Sequence, residues 1–117
     1  MRWAWIAGVL HALIGSTILF MTLHPLRDAL DAHALDLAKV ASAWQALLGL
    51  ALMLLSANAN ARIGALLMTV GVSLSSAILY FIIFSGLRPP FIVLAPIGGG
   101  IAIAGWLALL FAKPPTR

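Results

Sequence analysis

Residues 88–106 read Arg88-Pro-Pro-Phe-Ile-Val-Leu-Ala-Pro-Ile-Gly-Gly-Gly-Ile-Ala-Ile-Ala-Gly-Trp106. The stretch contains no side chain that is suited to catalysis. Its prolines and glycines restrict or free the backbone, because prolines precede and interrupt an apolar run that is rich in glycine. In lipid no hydrophobic force joins helices, and close approach of small residues takes its place. The stretch therefore predicts a membrane helix that packs closely against a neighbouring helix.

The composition extends this prediction to the whole chain. Of 117 residues, 63% are hydrophobic and 9% are charged, whereas a soluble domain has roughly 25% charged residues. A membrane-spanning helix needs about 20 mostly apolar residues. Four runs meet this need, at about 3–23, 39–57, 63–86 and 91–112. We predict an all-α membrane protein in which residues 1–117 form a single domain, a four-transmembrane-helix bundle.

Small residues recur at helical spacing on one face of each predicted span. Gly98, Ala102 and Gly105 are separated by four and three residues, so they share one side of the fourth helix. The glycine run at 98–100 does not predict a phosphate-binding loop, because such loops follow a strand. The residues expected at helix contacts are Gly8, Gly15, Gly49, Gly71, Gly98, Ala102 and Gly105.

Residues 24–38 hold all three acidic residues of the chain. Pro25 suits the first position of a helix, and we expect a short amphipathic surface helix here, between helices 1 and 2. His24, Asp28 and Asp31 would fall at i, i+4 and i+7 on it, which makes them a weak candidate for a divalent metal site. A solvated helix face gives the same pattern and is the favoured interpretation, so no metal is expected.

His11 is the one ionisable side chain deep in a predicted span, and such a residue is a functional hypothesis by default. The other interior polar candidates are Ser42, Gln45, Ser73 and Ser75. The favoured interpretation is a neutral imidazole that is hydrogen-bonded to Gln45 and Ser75 on facing helices. The alternative is a carrier or sensor of a small ligand or proton. No carboxylate can orient His11 as a base for the serines, so we expect no enzyme, no catalytic residue and no cofactor.

The basic residues predict the orientation of the chain. One side of the membrane would hold Arg2, Arg62, Lys113 and Arg117, and the other Arg27, Lys39 and Arg88. This bias places both termini in the cytoplasm. The charges are scattered, so nucleic acid is not an expected partner, and the absence of cysteine excludes disulfides. Tyr80, near the end of the third span, is interpreted as an interface anchor.

The second half of the chain resembles a known family. Ser76-Ala-Ile-Leu-Tyr80, followed by Pro96-Ile-Gly-Gly99 and Gly105-Trp106, is similar to the C-terminal half of the domain of unknown function 423 family. In the first half, His24-Pro25-Leu26 looks like that family's Ala-His-Gly-Leu. The resemblance implies a four-span protein of the bacterial inner membrane and carries no established reaction, cofactor or catalytic residue.

These observations favour one function and leave a second open. We expect a non-enzymatic small integral membrane protein that acts as an accessory or assembly subunit, or as a small homo-oligomer, through its glycine-lined helix faces. Its expected partners are the lipid bilayer and other membrane protein subunits or copies of itself. The alternative uses the interior at His11, Gln45 and Ser75 to carry or sense a small ligand or proton.

Overall fold

The computed structural model describes residues 1–115. They form α1 (Arg2–Leu23), α2 (Ala32–Leu55), α3 (Arg62–Ser85) and α4 (Leu94–Leu109), with 3₁₀ turns at Ala59–Ala61 and Pro90–Val93. With those turns included, each of the four helical stretches is long and apolar enough to cross a membrane. No strand occurs among the described residues. The all-α, four-helix fold predicted from the sequence is confirmed.

The helices pack as two close pairs that meet in the middle. α1 lies against α2, α4 lies against α3, and the contact between α2 and α3 joins the two pairs. Large apolar side chains point outward, and Leu13, Val40 and Leu54 are 62%, 69% and 80% exposed. An apolar exterior of this kind suits a hydrocarbon solvent, in which such side chains carry no penalty.

Backbone contact joins α1 to α2. A Cβ atom added at Gly8 would lie 2.7 Å from the carbonyl oxygen of Gly49, and one added at Gly15 would lie 2.6 Å from that of Ser42. Real Cβ atoms do not come so close, so only glycine permits this approach of the two helices.

The pair formed by α3 and α4 has the same construction. A Cβ atom at Gly98 would lie 2.7 Å from the backbone nitrogen of Ser75, and one at Gly105 would lie 2.9 Å from the carbonyl oxygen of Gly64. Ala102, between them, is fully buried and faces Gly71. The glycine-lined faces are thus occupied within one chain. This corrects the expectation that they bind a partner, because a surface already in backbone contact cannot pack a second helix.

The segment between α1 and α2 also differs from the expectation. Residues 24–30 form successive turns, and no surface helix exists over 24–38. Asp31 has an extended backbone, with φ −68° and ψ 167°, and its side chain accepts a hydrogen bond from the Ala34 N–H at 2.8 Å. This N-cap starts α2 at Ala32, seven residues before the expected start at Lys39. The turn segment that remains is too short to nucleate a helix of its own.

The start of α4 agrees with the limits that proline sets. The helix begins at Leu94, after the 3₁₀ turn, so Pro96 lies in its first turn, where a missing N–H breaks no intrahelical bond. The preceding helix, α3, ends at Ser85 and is followed by Gly86, whose φ of 70° is a left-handed conformation that glycine adopts without strain. The connection from α2, at 56–61, thus precedes α3, and Gly86 follows it at the other end.

Both ends of the described chain lie at one end of the bundle. The α-ammonium group of Met1 donates a hydrogen bond to the carbonyl oxygen of Ser56, and the Asn58 amide donates to that of Lys113 at 3.0 Å. The start of the chain, the connection between α2 and α3, and the segment after α4 are therefore neighbours. Such an arrangement requires an even number of antiparallel helices. Arg117, counted in the prediction of orientation, lies outside the described residues.

Candidate functional site

A chain of hydrogen bonds crosses three helices near the middle of the bundle. The amide nitrogen of Gln45 in α2 lies 3.0 Å from His11 Nδ1 in α1, and His11 Nε2 lies 3.1 Å from the hydroxyl oxygen of Ser73 in α3. Tyr80, also in α3, donates its phenolic proton to Gln45 Oε1. We call Ser73, His11, Gln45 and Tyr80 the polar chain.

The direction of each bond follows from the Gln45 amide. Its oxygen accepts from Tyr80, so its nitrogen is the donor to His11 Nδ1. A neutral imidazole whose Nδ1 accepts carries its proton on Nε2, and that nitrogen therefore donates to the Ser73 hydroxyl. In this arrangement His11 is not placed to remove a proton from Ser73. The pair is consequently not oriented as a serine nucleophile and its base.

The two ends of the polar chain differ in exposure. Gln45 is 3% exposed and Tyr80 and His11 are partly buried, but Ser73 is exposed on the outside of the chain. Ser73 therefore departs from the expectation of an interior position, because it lies at the outer edge of the contact between α1 and α3. We call this edge the α1–α3 groove and define it by His11, Ile14, Val70, Ser73 and Ala77, which follow from helical spacing around the hydrogen bond.

Two of the predicted interior residues lie outside the polar chain. Ser42 is buried and donates to the carbonyl oxygen of Ala38 in its own helix at 2.6 Å, a common use of a serine inside a helix. Ser75 is also buried, but its backbone faces Gly98 of α4. The predicted interior at His11, Gln45 and Ser75 is thus corrected, and Ser73 takes the position given to Ser75. The two serines are separated by about 200° around the helix, so they cannot face the same neighbour.

Tyr80 is the member of the polar chain that the sequence interpretation missed. The sequence predicts an interface anchor at this position, yet the Tyr80 hydroxyl donates to Gln45. A signal was available, because Tyr80 follows Ser73 by two helical turns and shares its side of α3. Ser76 lies between them, and its hydroxyl is the buried side-chain group that lacks a hydrogen-bond partner among residues 1–115.

The three residues of the weak metal candidate, His24, Asp28 and Asp31, do not form a cluster. Asp31 caps α2, and the ring of His24 packs against Phe20 with centroids 4.5 Å apart. Across residues 1–115, no group of three or more histidine or acidic side chains is clustered as a metal site requires. The spacing that brought His24, Asp28 and Asp31 together assumed a helix, and the structure has turns there.

Comparison with known proteins gives one match. The family model described as Protein of unknown function (DUF423) matches residues 20–99. No curated protein matches the chain, and no solved structure matches it. The matched segment contains Gln45, Ser73 and Tyr80 of the polar chain, while His11 precedes it.

Proposed function

The chain belongs to the family of proteins of unknown function DUF423, and we propose that it is a non-enzymatic integral membrane protein that serves as an accessory or assembly subunit. It would act as a single four-span domain and would bind another membrane protein or a second copy of itself. The observation that carries the proposal is the position of Ser73, which is exposed at mid-helix on the outside of the chain.

An ionisable side chain at the depth of Ser73 rarely faces lipid. Intramembrane ionisable residues such as His11 nearly always point into a bundle or a cavity, because hydrocarbon offers them no hydrogen-bond partner. The hydroxyl of Ser73 and the partly buried His11 form a polar spot in the α1–α3 groove, between the apolar Ile14 and Val70. A helix from a partner that covers this groove would bury the spot and could donate to the Ser73 oxygen. The groove thus replaces the glycine-lined faces as the association surface.

Two features support a role without catalysis. Each side chain of the polar chain has at least one hydrogen-bond partner, and the chain directs the His11 proton toward Ser73 rather than away from it. Its third member is an amide, Gln45, which stays neutral and cannot stabilise an imidazolium as a carboxylate does. The Ser76 hydroxyl is hydrogen-bonded to no base, because it has no hydrogen-bond partner within residues 1–115.

We assign the protein to the bacterial inner membrane with both termini in the cytoplasm. The bias of lysine and arginine supports this orientation. The hydrogen bonds from Met1 to Ser56 and from Asn58 to Lys113 support the placement of both ends of the chain on one side.

Site-directed photo-crosslinking tests the association surface. A benzoylphenylalanine in place of Val70 would lie in the α1–α3 groove, and one in place of Leu54, which is 80% exposed on α2, serves as the matched control. We expect a discrete protein adduct from position 70 in intact membranes and none from position 54. An adduct of twice the 12.3 kDa chain mass indicates a second copy, and a larger one indicates a different subunit. Adducts at neither position, or equal adducts at both, would contradict the proposal.

A second candidate function rests on the continuity of the polar chain. We propose as the alternative that the protein carries or senses a proton or a small polar ligand through Ser73, His11, Gln45 and Tyr80. A half turn of the Gln45 amide would place its oxygen against His11 Nδ1, so the imidazole proton would then be held on Nδ1 and Nε2 would accept from Ser73. The two arrangements give the polar chain two states that a proton or a ligand could select. The free hydroxyl of Ser76, one turn from both Ser73 and Tyr80, offers a further partner for a small ligand. Mass spectrometry of the protein purified in mild detergent separates the two functions, because a co-purified small molecule that Gln45→Leu abolishes supports this alternative.

A further inference from the structure

A cavity of about 620 Å³ opens at the end of the bundle opposite the chain termini. It lies between the segment before α2, the end of α3 and the start of α4. The apolar part of its lining includes Leu30, Leu37, Ile83 and Pro96. Such a volume falls within the range of ligand-binding pockets, roughly 300–1,000 Å³.

The cavity continues as an apolar groove between α2 and α4. This groove, of about 310 Å³, shares Leu37, Leu79 and Pro96 with the cavity and reaches Trp44 and Gly99. The cavity and the groove together follow α2 from its start to Trp44, a rise of about 18 Å, which exceeds half of the roughly 30 Å hydrocarbon core. Together they therefore have about the length of one membrane leaflet. We call the cavity and the groove together the α2–α4 cleft.

The residues that line the cavity carry charges of both signs. Arg88 and Asp31 both line the cavity, together with His33. Within residues 1–115 one ion pair is formed, between Lys39 and Asp36 at 4.0 Å. Arg88 and Asp31 are therefore not paired with each other. Asp31 Oδ1 accepts a hydrogen bond from the Ala34 N–H, and Asp31 Oδ2 accepts none within residues 1–115. A guanidinium and a carboxylate thus belong to residues that line the same cavity.

We propose that the α2–α4 cleft binds a zwitterionic phospholipid with a primary amine in its headgroup. Its phosphate would meet Arg88, whose planar fork suits phosphate oxygens, and its ammonium group would donate to Asp31. His33 would add a donor beside the phosphate. One acyl chain would lie along Leu37 and Leu79 toward Gly99 and fill a groove whose walls would otherwise lack contacts on one side. This site is separate from the α1–α3 groove and does not depend on the function proposed above.

Two neighbouring glycines allow the acyl-chain path to be blocked with a matched control. A Cβ atom added at Gly99 or at Gly100 meets no atom within 4 Å, so a larger side chain fits the folded protein at both positions. Gly99 lines the groove, whereas Gly100 lines neither the groove nor the cavity. Gly99→Leu should therefore fill the cleft, and Gly100→Leu should leave it open.

The headgroup can be tested without loss of the α2 cap. Asp31→Asn removes the charge, and asparagine is as good an N-cap as aspartate. Arg88→Gln removes the guanidinium at an exposed position. We expect Asp31→Asn to abolish the preference for a primary amine, and Arg88→Gln to weaken the binding of every phospholipid.

Native mass spectrometry of the whole protein, with added lipids of identical acyl chains, measures these effects. The probes are phosphatidylethanolamine, phosphatidylcholine and phosphatidylglycerol, and melting temperatures in detergent confirm that each variant folds. We expect the wild type to retain phosphatidylethanolamine about tenfold better than the other two, as one charge-assisted hydrogen bond allows. Gly99→Leu should lose all three lipids while Gly100→Leu keeps them. Equal retention of the three lipids by the wild type, or equal binding by the two glycine variants, would overturn the proposal.

Discussion

His11 Nδ1 accepts a hydrogen bond from the Gln45 amide at 3.0 Å, and this bond joins the middle of α1 to the middle of α2. The same two helices are already in backbone contact through Gly8 and Gly49. The glycine contact sets how close the helices are, and the polar bond fixes how they are rotated about their axes. Together they hold the imidazole where its second nitrogen reaches Ser73 of α3.

Two substitutions of His11 test whether its hydrogen bonds stabilise the bundle. We expect His11→Gln to fold with nearly wild-type stability, because glutamine keeps a donor and an acceptor at similar reach. His11→Leu should lower the free energy of unfolding by about 1–2 kcal/mol, since Gln45 and Ser73 lose their partner inside the membrane. Thermal unfolding in mild detergent measures the difference. A His11→Leu variant as stable as His11→Gln would show that the polar chain does not stabilise the bundle.

Removal of the Tyr80 hydroxyl tests whether Tyr80 belongs to the polar chain. Tyr80→Phe keeps the ring and loses the donor to Gln45, so we expect a loss of roughly 0.6 to 1.7 kcal/mol. The loss should nearly vanish when Gln45→Leu is already present, because the acceptor is then gone. A double-mutant cycle on unfolding free energies makes the comparison. Additive effects would return Tyr80 to the role of an interface anchor.

The sequence predicts the close helix pairs because their cause is local. Small residues at spacings of three, four and seven must share a helix face, and lipid offers few other ways to join helices. Gly98 and Gly105 therefore identify the side of α4 that contacts α3. The start of α4 is predictable for a similar reason, since the position of Pro96 limits where a helix can begin.

The partner of His11 on α3 is harder to predict from the sequence, because it depends on how α3 is rotated about its own axis. The close contact of Gly71 and Ser75 with α4 settles that rotation and turns Ser73 toward α1. The spacing of Gly71 and Ser75 contained this information, but it becomes decisive only when α4 is known to be their neighbour. The false surface helix has another cause. An aspartate at position 31 fits both the exposed side of a helix and an N-cap, and hydrophobic periodicity does not distinguish the two.

Four glycines of α4 predict two different outcomes for substitution by leucine. Gly98→Leu should lower the melting temperature strongly, as should Gly105→Leu, because a Cβ atom at either position meets backbone of α3 within 2.9 Å. Overpacking of this kind costs typically 1–3 kcal/mol. Gly99→Leu and Gly100→Leu should leave stability unchanged or raise it, since leucine favours a helix more than glycine does. Similar melting temperatures for Gly98→Leu and Gly100→Leu would contradict the close packing of α3 and α4.

The absence of cysteine from the sequence makes the orientation testable at single positions. Asn60→Cys places a thiol in the connection between α2 and α3, and Ala29→Cys places one in the turns before α2, both at exposed positions at opposite ends of the bundle. If both termini face the cytoplasm, a membrane-impermeant maleimide added to intact cells should label Ala29→Cys and spare Asn60→Cys. After the cells are lysed, both thiols should react, which controls for accessibility. Labelling of Asn60→Cys alone in intact cells would show that the bundle has the opposite orientation, and labelling of both would show that the two connections do not lie on opposite sides of one membrane.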